Sequence, residues 1–179
     1  MQKAALILEG GAKRGVFTSG VLDYLMEQEY YIPHVIGVSA GSCNAVDYVS
    51  RQPGRTKACM IRSGEDGKII NFHNFFQTKS LLDMDLIFER DPKELHPFDF
   101  DTYFASDMTC EIVVTNCESG QAEYYSEKED GDRLMQLCRA SSSMPLVTPM
   151  VEIDGVPYLD GGIADSIPLI HSMRSGYRK

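Results

Sequence analysis

One serine stands in a pattern that suits a nucleophile. Ser39 is the centre of a G-x-S-x-G sequence at residues 37–41, with a short apolar run before it and small residues after it. A serine at the apex of a sharp strand-to-helix turn is exposed for attack, and the backbones there approach so closely that Gly37 and Gly41 must lack side chains. The following helix would direct free N–H groups and its positive dipole end at Ser39. Plain turns share this pattern, so other residues must decide between nucleophile and turn.

A second candidate is the glycine-rich loop GGAKRG at residues 10–15, between an apolar run and a helical pattern. Converging backbone N–H groups in such a loop can bind a phosphate, or the oxyanion that forms when an ester carbonyl is attacked. Neither phosphate-binding pattern fits, because Ala12 interrupts G-x-G-x-x-G and Val16 follows Gly15 where G-x-x-x-x-G-K-[ST] requires lysine. The loop could also be purely structural, with its two basic residues bracing it or facing solvent.

An acidic residue completes the parts of an acyl-transfer site. Asp160 precedes two glycines at the end of a predicted strand, where α/β folds place functional groups, although Asp-Gly-Gly is also a common turn. A donor loop, a serine and a carboxylate are what acyl transfer requires. Free aspartate, with a pKa of about 3.9, is a weak base. Burial beside Tyr158, Leu159 and Ile163 would raise that pKa and improve the match.

The histidines offer few alternatives. Only His171 follows Asp160 in the chain, so it is the one residue here that could complete a Ser–Asp–His order. We expect His34 to be structural, and His73 and His96 to be exposed. No H-x-x-x-H or H-E-x-x-H spacing occurs, so we predict neither a metal site nor a cofactor.

Composition narrows the class of protein. The chain has 179 residues, 17 basic and 26 acidic, for a net charge of −9. This balance argues against nucleic acid as a partner and gives no general attraction to anionic membranes, but a lipid can still bind one molecule at a time. No window reaches the roughly 18 apolar residues of a membrane span. Five cysteines without C-x-x-C spacing, and no signal peptide, predict reduced thiols in the cytoplasm.

Alternating strands and helices predict a parallel sheet with helices on its faces, in one domain over residues 1–179. The chain stops soon after a predicted helix, where an alternating fold would add a strand, so we expect the domain to be truncated at its C-terminal end. The predicted strands are residues 3–8, 34–38, 109–116 and 121–126 with a hairpin at 149–159, and the predicted helices are residues 15–28, 40–51, 80–88, 99–105, 130–139 and 168–173, with a loop at 91–97.

Four motifs in this order resemble the patatin-like phospholipase family, and its bacterial branch more than the plant storage proteins. They are EGGAKRG at residues 9–15, GVSAGS at 37–42, ASSSMP at 140–145 and DGG at 160–162. The resemblance spans most of the chain. It implies an α/β fold, a three-layer sandwich with a mainly parallel central sheet flanked by helices. The serine run at 140–145 is interpreted either as a loop or as a lining of the site.

The resemblance also implies roles for individual residues. Ser39 and Asp160 would form a catalytic dyad in place of a triad, and the N–H groups of Gly11 and Ala12 would bind the oxyanion, with Ala40 as a further donor. Ala12 departs from the family motif, which most often has glycine there, and alanine is tolerated if its φ angle is ordinary. The full set assigned to the oxyanion loop is Gly10, Gly11, Ala12, Arg14 and Gly15.

These roles predict a serine acyl hydrolase that degrades lipid acyl esters through an acyl-enzyme. In class it would be a carboxylic ester hydrolase of the phospholipase or lysophospholipase type. The expected partner is a lipid or small acyl ester, with transient contact at a membrane surface and no obligate protein partner. An acyltransferase that uses Ser39 is the first alternative. A non-catalytic module that binds an anion or lipid in the glycine-rich loop is the second.

Overall fold

A computed structural model describes residues 3–62 and 80–178 of the chain. Six strands form its sheet: β1 (Leu6–Leu8), β2 (His34–Val38), β3 (Thr109–Asn116), β4 (Ala122–Tyr125), β5 (Val151–Ile153) and β6 (Val156–Asp160). The strand order is β1-β2-β3-β6-β5, and β4 pairs with β3 outside this path. Strands β1, β2, β3 and β5 point one way, while β4 and β6 point the other.

Helices cover both faces of this sheet. They are α1 (Gly15–Glu27), α2 (Ala40–Val49), α3 (Arg55–Met60), α4 (Phe100–Ala105), α5 (Gly131–Ser141) and α6 (Leu169–Arg174), with 3-10 turns at Ala12–Arg14 and Gly161–Ile163 and a π-helix at Leu86–Leu95. The main core joins α1, α2 and α5 to one face, and a smaller cluster of Ile36, Val38 and Val113 lies on the other. The predicted α/β class, a mainly parallel sheet flanked by helices, is confirmed.

Helix α5 is fixed at its start and delivers its last residues to the sheet. The Asp130 side chain accepts hydrogen bonds from the N–H groups of Asp132 and Arg133, at 2.9 and 3.1 Å, which caps the helix. Leu134 and Leu137 are fully buried on its inner face. The cap fixes the start of α5, and its buried face holds the helix against the core, with its last residue at Ser141.

Two predictions in this region are wrong, and the first is the helix at residues 80–88, because residues 80–83 are not helical and the π-helix begins at Leu86. Residues 91–97 were expected to form a loop, but the π-helix Leu86–Leu95 runs through Pro92. Proline normally ends a helix because it lacks an N–H donor, whereas the wider π turn tolerates it here while burying Asp91. His96 bonds to Asp91 at 2.7 Å and is half-buried, so its expected exposure is also wrong. His73 lies outside the described residues.

Candidate active site

The register of β3 brings the ends of two strands together. Ile112 and Val113 of β3 pair with both β2 and β4, and Val114 and Thr115 pair with both β4 and β6. Strand β4 therefore occupies one edge of β3, and β2 and β6 share the other edge. Val38, the last residue of β2, lies opposite Val113. Asp160, the last residue of β6, lies opposite Val114. Because β2 and β6 run in opposite directions, Ser39 and Asp160 meet where the two strands end.

Ser39 occupies a tight turn between β2 and α2. Its φ and ψ angles of 55° and −126° are rare for a non-glycine residue and cost on the order of 1–3 kcal/mol. A Cβ atom at Gly37 would lie 2.5 Å from the carbonyl oxygen of Gly41, and one at Gly41 would lie 2.1 Å from that of Leu8. Ser42 donates its N–H and its hydroxyl to the Ser39 carbonyl, at 2.8 and 2.6 Å. Side chains at either glycine would therefore push apart the elements that fix this turn.

Asp160 is a buried carboxylate with neutral partners. It accepts a hydrogen bond at 2.8 Å from the N–H of Gly162, and the Ser39 side chain is a second donor, which lowers the pKa of the carboxyl group. Burial raises the pKa of Asp160, and these two bonds offset only part of that rise. Among residues 3–62 and 80–178, no lysine, arginine or histidine forms an ion pair with it. A carboxylate in this setting has a raised proton affinity and faces a hydroxyl group.

The apolar walls expected around Asp160 are only partly present. Tyr158 is buried, and its hydroxyl group bonds to Tyr125 and Glu123. Ile163 is 54% exposed, so its predicted role as a wall is wrong. The 3-10 turn that brings the Gly162 N–H to the carboxylate carries Ile163 to the surface.

The loop at residues 10–15 lies against both sides of the Ser39 turn. A Cβ atom at Gly10 would lie 2.8 Å from the Cβ of Ser39, so only glycine allows this approach. A Cβ atom at Gly15 would lie 3.2 Å from the Cβ of Ala40, the residue after the serine. The loop is thus close enough for its backbone to contact a group bound at Ser39.

Several N–H groups around Ser39 remain available to a ligand. Those of Gly11, Ala12 and Ala40 donate no hydrogen bond to any residue that the structure describes. Arg14 closes the loop, because its N–H bonds the Gly11 carbonyl at 3.0 Å and its side chain packs over Gly11. Unpaired donors next to a serine hydroxyl group can bind an oxyanion.

Ala12 does not have the ordinary φ angle that was expected for an alanine in this loop. Its φ angle is 48°, in the left-handed region. Alanine there places its Cβ close to the following carbonyl oxygen, at a cost of roughly 1–2 kcal/mol. The substitution of glycine by alanine in this motif is therefore accommodated with strain.

The end of α5 holds both Ser39 and Asp160. The Ser141 hydroxyl group donates to the Val113 carbonyl at 2.7 Å and accepts from the Ser39 N–H at 2.8 Å. The Ser143 carbonyl accepts from the Asp160 N–H at 2.7 Å. Neither serine has a local pattern that indicates its role, because a serine run before proline resembles an ordinary loop. The N–H of Ser39 is consequently occupied.

Two of the described histidines lie against one glutamate. His171 Nε2 lies 2.5 Å from a carboxylate oxygen of Glu111, and its ring stacks on Tyr124 at 3.5 Å. His34 Nε2 lies 3.2 Å from the other oxygen of Glu111. His171, the alternative third member of a triad, is thus bound to Glu111 and not to Asp160.

One cluster has metal-ligand chemistry although the sequence predicts no metal site. Ligand atoms of Cys59, Asp91 and His96 lie within 4.8 Å of one another. The Arg62 guanidinium group lies 2.7 Å from the Asp91 carboxylate, so an ion pair already balances the negative charge of Asp91. None of these residues belongs to the sheet, since Cys59 lies in α3 and Asp91 and His96 lie in and just after the π-helix.

Comparison with known proteins identifies the family. The model of the family described as patatin-like phospholipase matches residues 6–172. The uncharacterized protein YjjU of Escherichia coli strain K12 is 29% identical over 97% of this chain, which spans 49% of that protein's length. The crystal structure of VipD from Legionella pneumophila is similar over 92% of this chain and 47% of the VipD chain, with a TM-score of 0.51 and 16% sequence identity. In the part of the chain that the structure describes, no helix is long and apolar enough to cross a membrane. Since the family model covers most of the sequence, the chain belongs to the patatin-like phospholipase family.

Proposed function

We propose that this protein is a serine acyl hydrolase that cleaves lipid acyl esters, with Ser39 as nucleophile and Asp160 as general base. The observation that carries the proposal is the meeting of Ser39 and Asp160 at the ends of β2 and β6, where the Ser39 side chain is a hydrogen-bond donor toward a buried carboxylate whose pKa is raised. A base with raised proton affinity is better matched to a serine hydroxyl group than free aspartate is. We further propose that residues 6–172, which match the family, act as a single catalytic domain.

The reaction proceeds through an acyl-enzyme. The Ser39 Oγ attacks the ester carbonyl carbon while its proton passes to the Asp160 carboxylate. The carbonyl oxygen becomes an oxyanion that accepts hydrogen bonds from the N–H groups of Gly11, Ala12 and Ala40. The intermediate collapses, the C–O bond to the alcohol breaks, and the leaving oxygen takes the proton from Asp160. Water then attacks the acyl-enzyme while Asp160 accepts its proton. The bond between Ser39 Oγ and the acyl carbon breaks, Oγ takes the proton back from Asp160, and the fatty acid leaves.

The other loop residues support this geometry. Gly10 and Gly15 let the loop approach the turn closely enough for its donors to reach the reacting carbonyl. Arg14 closes the loop over Gly11 and fixes the direction of the donors. Gly37 and Gly41 hold the strained conformation of Ser39, which presents Oγ to the substrate.

The test is release of fatty acid from phospholipid, lysophospholipid and a soluble short-chain ester by the purified protein. We expect turnover in the native protein and loss of at least 1,000-fold, an order-of-magnitude estimate, in Ser39→Ala. Ser175→Ala, at an exposed serine beyond α6, is the matched control and should keep full activity. Transfer of the acyl group to an added alcohol or thiol in preference to water would favour the acyltransferase. Absence of turnover in the folded native protein contradicts the proposal.

A further inference from the structure

Four apolar side chains around the Ser39–Asp160 pair face solvent. Phe17 is 82% exposed, Met144 37%, Leu146 95% and Ile163 54%. We call these four residues the apolar rim. Such a group beside a site for lipid esters could contact the phase in which the lipid resides.

Each rim residue follows closely on a residue anchored at the site. Phe17 comes two positions after Gly15, which contacts the Ser39 turn. Met144 follows Ser143, whose carbonyl accepts the Asp160 N–H. Consecutive Cα atoms are about 3.8 Å apart, so these side chains start within roughly 8 Å of their anchors.

The other two rim residues have similar anchors. Ile163 follows Gly162, which bonds the Asp160 carboxylate at 2.8 Å. Leu146 lies three positions after Ser143, within about 12 Å of it along the chain. The rim therefore comes from three separate segments that all leave the same centre.

The loop that carries Leu146 is held in a defined shape. The N–H groups of Val147 and Thr148 both bond the Met144 carbonyl, at 3.2 and 3.0 Å, and the Leu81 N–H bonds the Val147 carbonyl at 2.8 Å. Within this turn Leu146 has a φ angle of 67°, which is unfavourable for a leucine. Leu146 gains almost nothing from packing against the described residues, so it is available for contact with a lipid.

The charges beside the rim restrict the surface that it can meet. Lys13 and Arg14 are exposed on the loop that opens α1, next to Phe17. Glu9 is exposed on the same loop, and the whole chain carries −9, which repels a strongly anionic membrane. A bilayer of zwitterionic phospholipid, with phosphate groups for the two cations and an acyl interior for the rim, fits both features.

We propose that the apolar rim docks on a zwitterionic phospholipid bilayer, so that a single lipid passes from the membrane to Ser39. This inference rests on the proposed function, since it names the source of that function's substrate. Rim side chains would enter the boundary between headgroups and acyl chains, while Lys13 contacts phosphate oxygens. Hydrolysis of a dissolved ester needs no such contact.

Binding is tested apart from catalysis by sedimentation with phosphatidylcholine vesicles, using Ser39→Ala so that no lipid is consumed. We expect Phe17→Gln with Leu146→Asn and Ile163→Ser to weaken partition by about tenfold or more, because apolar area no longer leaves water. Asparagine tolerates positive φ, so that change should not harm folding. Tyr30→Gln is the matched control, since this exposed aromatic lies past the far end of α1, about 20 Å from Phe17.

Activity then separates this inference from the proposed function. In the active protein, the same three changes should lower hydrolysis of vesicle phospholipid about tenfold and leave hydrolysis of soluble p-nitrophenyl butyrate within twofold.

Equal partition of the variant and the Tyr30→Gln control would overturn docking, as would a native protein that does not sediment with vesicles. An equal fall on both substrates, or conversion of a native dimer to a monomer by the changes, would also overturn it. Loss of vesicle partition without any esterase activity would support docking while contradicting the proposed function.

Discussion

Two buried aspartates have different partners, and the difference indicates which one can act as a base. Asp47 is 3% exposed and Asp160 is 6% exposed, and burial raises the pKa of both. Asp47 binds the guanidinium group of Arg55 at 2.8 Å and the hydroxyl group of Thr56 at 2.6 Å. Among the residues that the structure describes, the donors to Asp160 are neutral, namely the Ser39 side chain and the Gly162 N–H.

A cation partner changes what a buried carboxylate can do. Beside Arg55, a proton on Asp47 would leave the guanidinium group without its countercharge, so this pair supports the structure between α2 and α3. Asp160 can accept a proton without leaving any described cation unpaired. Burial without a cation therefore distinguishes a candidate base from a structural acid in this fold.

The largest predicted effect comes from the Asp160 side of the comparison. Asp160→Asn should lower kcat/KM for a soluble ester by roughly 10²–10⁴-fold, because the amide cannot accept the serine proton. Stability should be equal or higher at pH 7. The pKa of Asp160 is higher in the folded state, so the protonated carboxyl group stabilises the fold at low pH. This contribution is lost as the pH rises through the folded-state pKa. Asparagine does not ionise, so the variant does not lose stability in this way. Kinetics and urea unfolding measure the two effects, and a stable variant with native kcat/KM would break the comparison.

The Asp47 side should show the reverse pattern. Asp47→Asn removes the countercharge of a buried arginine and should lower the free energy of unfolding by about 3 kcal/mol. The kcat/KM of the folded fraction should stay within twofold. Urea unfolding with active-site titration measures both quantities. A fall in kcat/KM as large as that of Asp160→Asn would show that the two carboxylates cannot be separated by their partners.

The pH dependence of kcat/KM sharpens the comparison. Asp160 must be ionised to accept a proton, so kcat/KM should rise with pH through its folded-state pKa. Burial raises that pKa, so the midpoint should lie above the value of about 3.9 for free aspartate. The profile is measured on a soluble ester, with unfolding followed over the same pH range. A midpoint at or below the free value contradicts the assignment.

A smaller effect is expected at the end of α5. Ser141→Ala would leave the Ser39 N–H and the Val113 carbonyl without a partner and should lower kcat roughly tenfold with little change in KM. Ser143→Ala is the control, because the carbonyl that binds the Asp160 N–H belongs to the backbone and survives the change. Similar kcat values for the two variants would remove the positioning role of Ser141.

The smallest effect is expected at Ala12. Ala12→Gly relieves a strained φ angle but adds freedom to the unfolded chain, so we expect stabilisation of about 0.5 kcal/mol. The kcat/KM value should be unchanged or slightly higher, because the donated N–H is retained. Thermal unfolding measures the shift, and a clear loss of stability would mean that the methyl group has a packing role.

Parts of this arrangement were predictable from the sequence because they depend on local sterics. Gly37 and Gly41 flank Ser39 at a spacing that a close strand-to-helix turn requires, and the structure has backbone oxygens 2.5 and 2.1 Å from their Cβ positions. The hairpin that leads to Asp160 was also predicted, because Asp-Gly marks its turn. Both predictions needed only neighbouring residues.

Other parts depend on contacts that are distant in the chain. The meeting of Ser39 and Asp160 depends on β6 pairing with β3 on the same edge as β2, which no local pattern encodes. The bond between Ser39 and Ser141 spans 102 positions. The Asp47–Arg55 pair spans only 8 positions, but neither it nor the π-helix through Pro92 follows a local pattern, because burial by other segments outweighs the local preferences there.

The central claim, that Asp160 activates Ser39, is tested most directly by the rate of labelling with a fluorophosphonate, with the modified residue read by mass spectrometry. The account predicts one adduct, on Ser39, forming at least roughly 100-fold more slowly in Asp160→Asn and at the native rate in folded Asp47→Asn. An adduct on a different serine, or equal labelling rates in the native protein and Asp160→Asn, would contradict it.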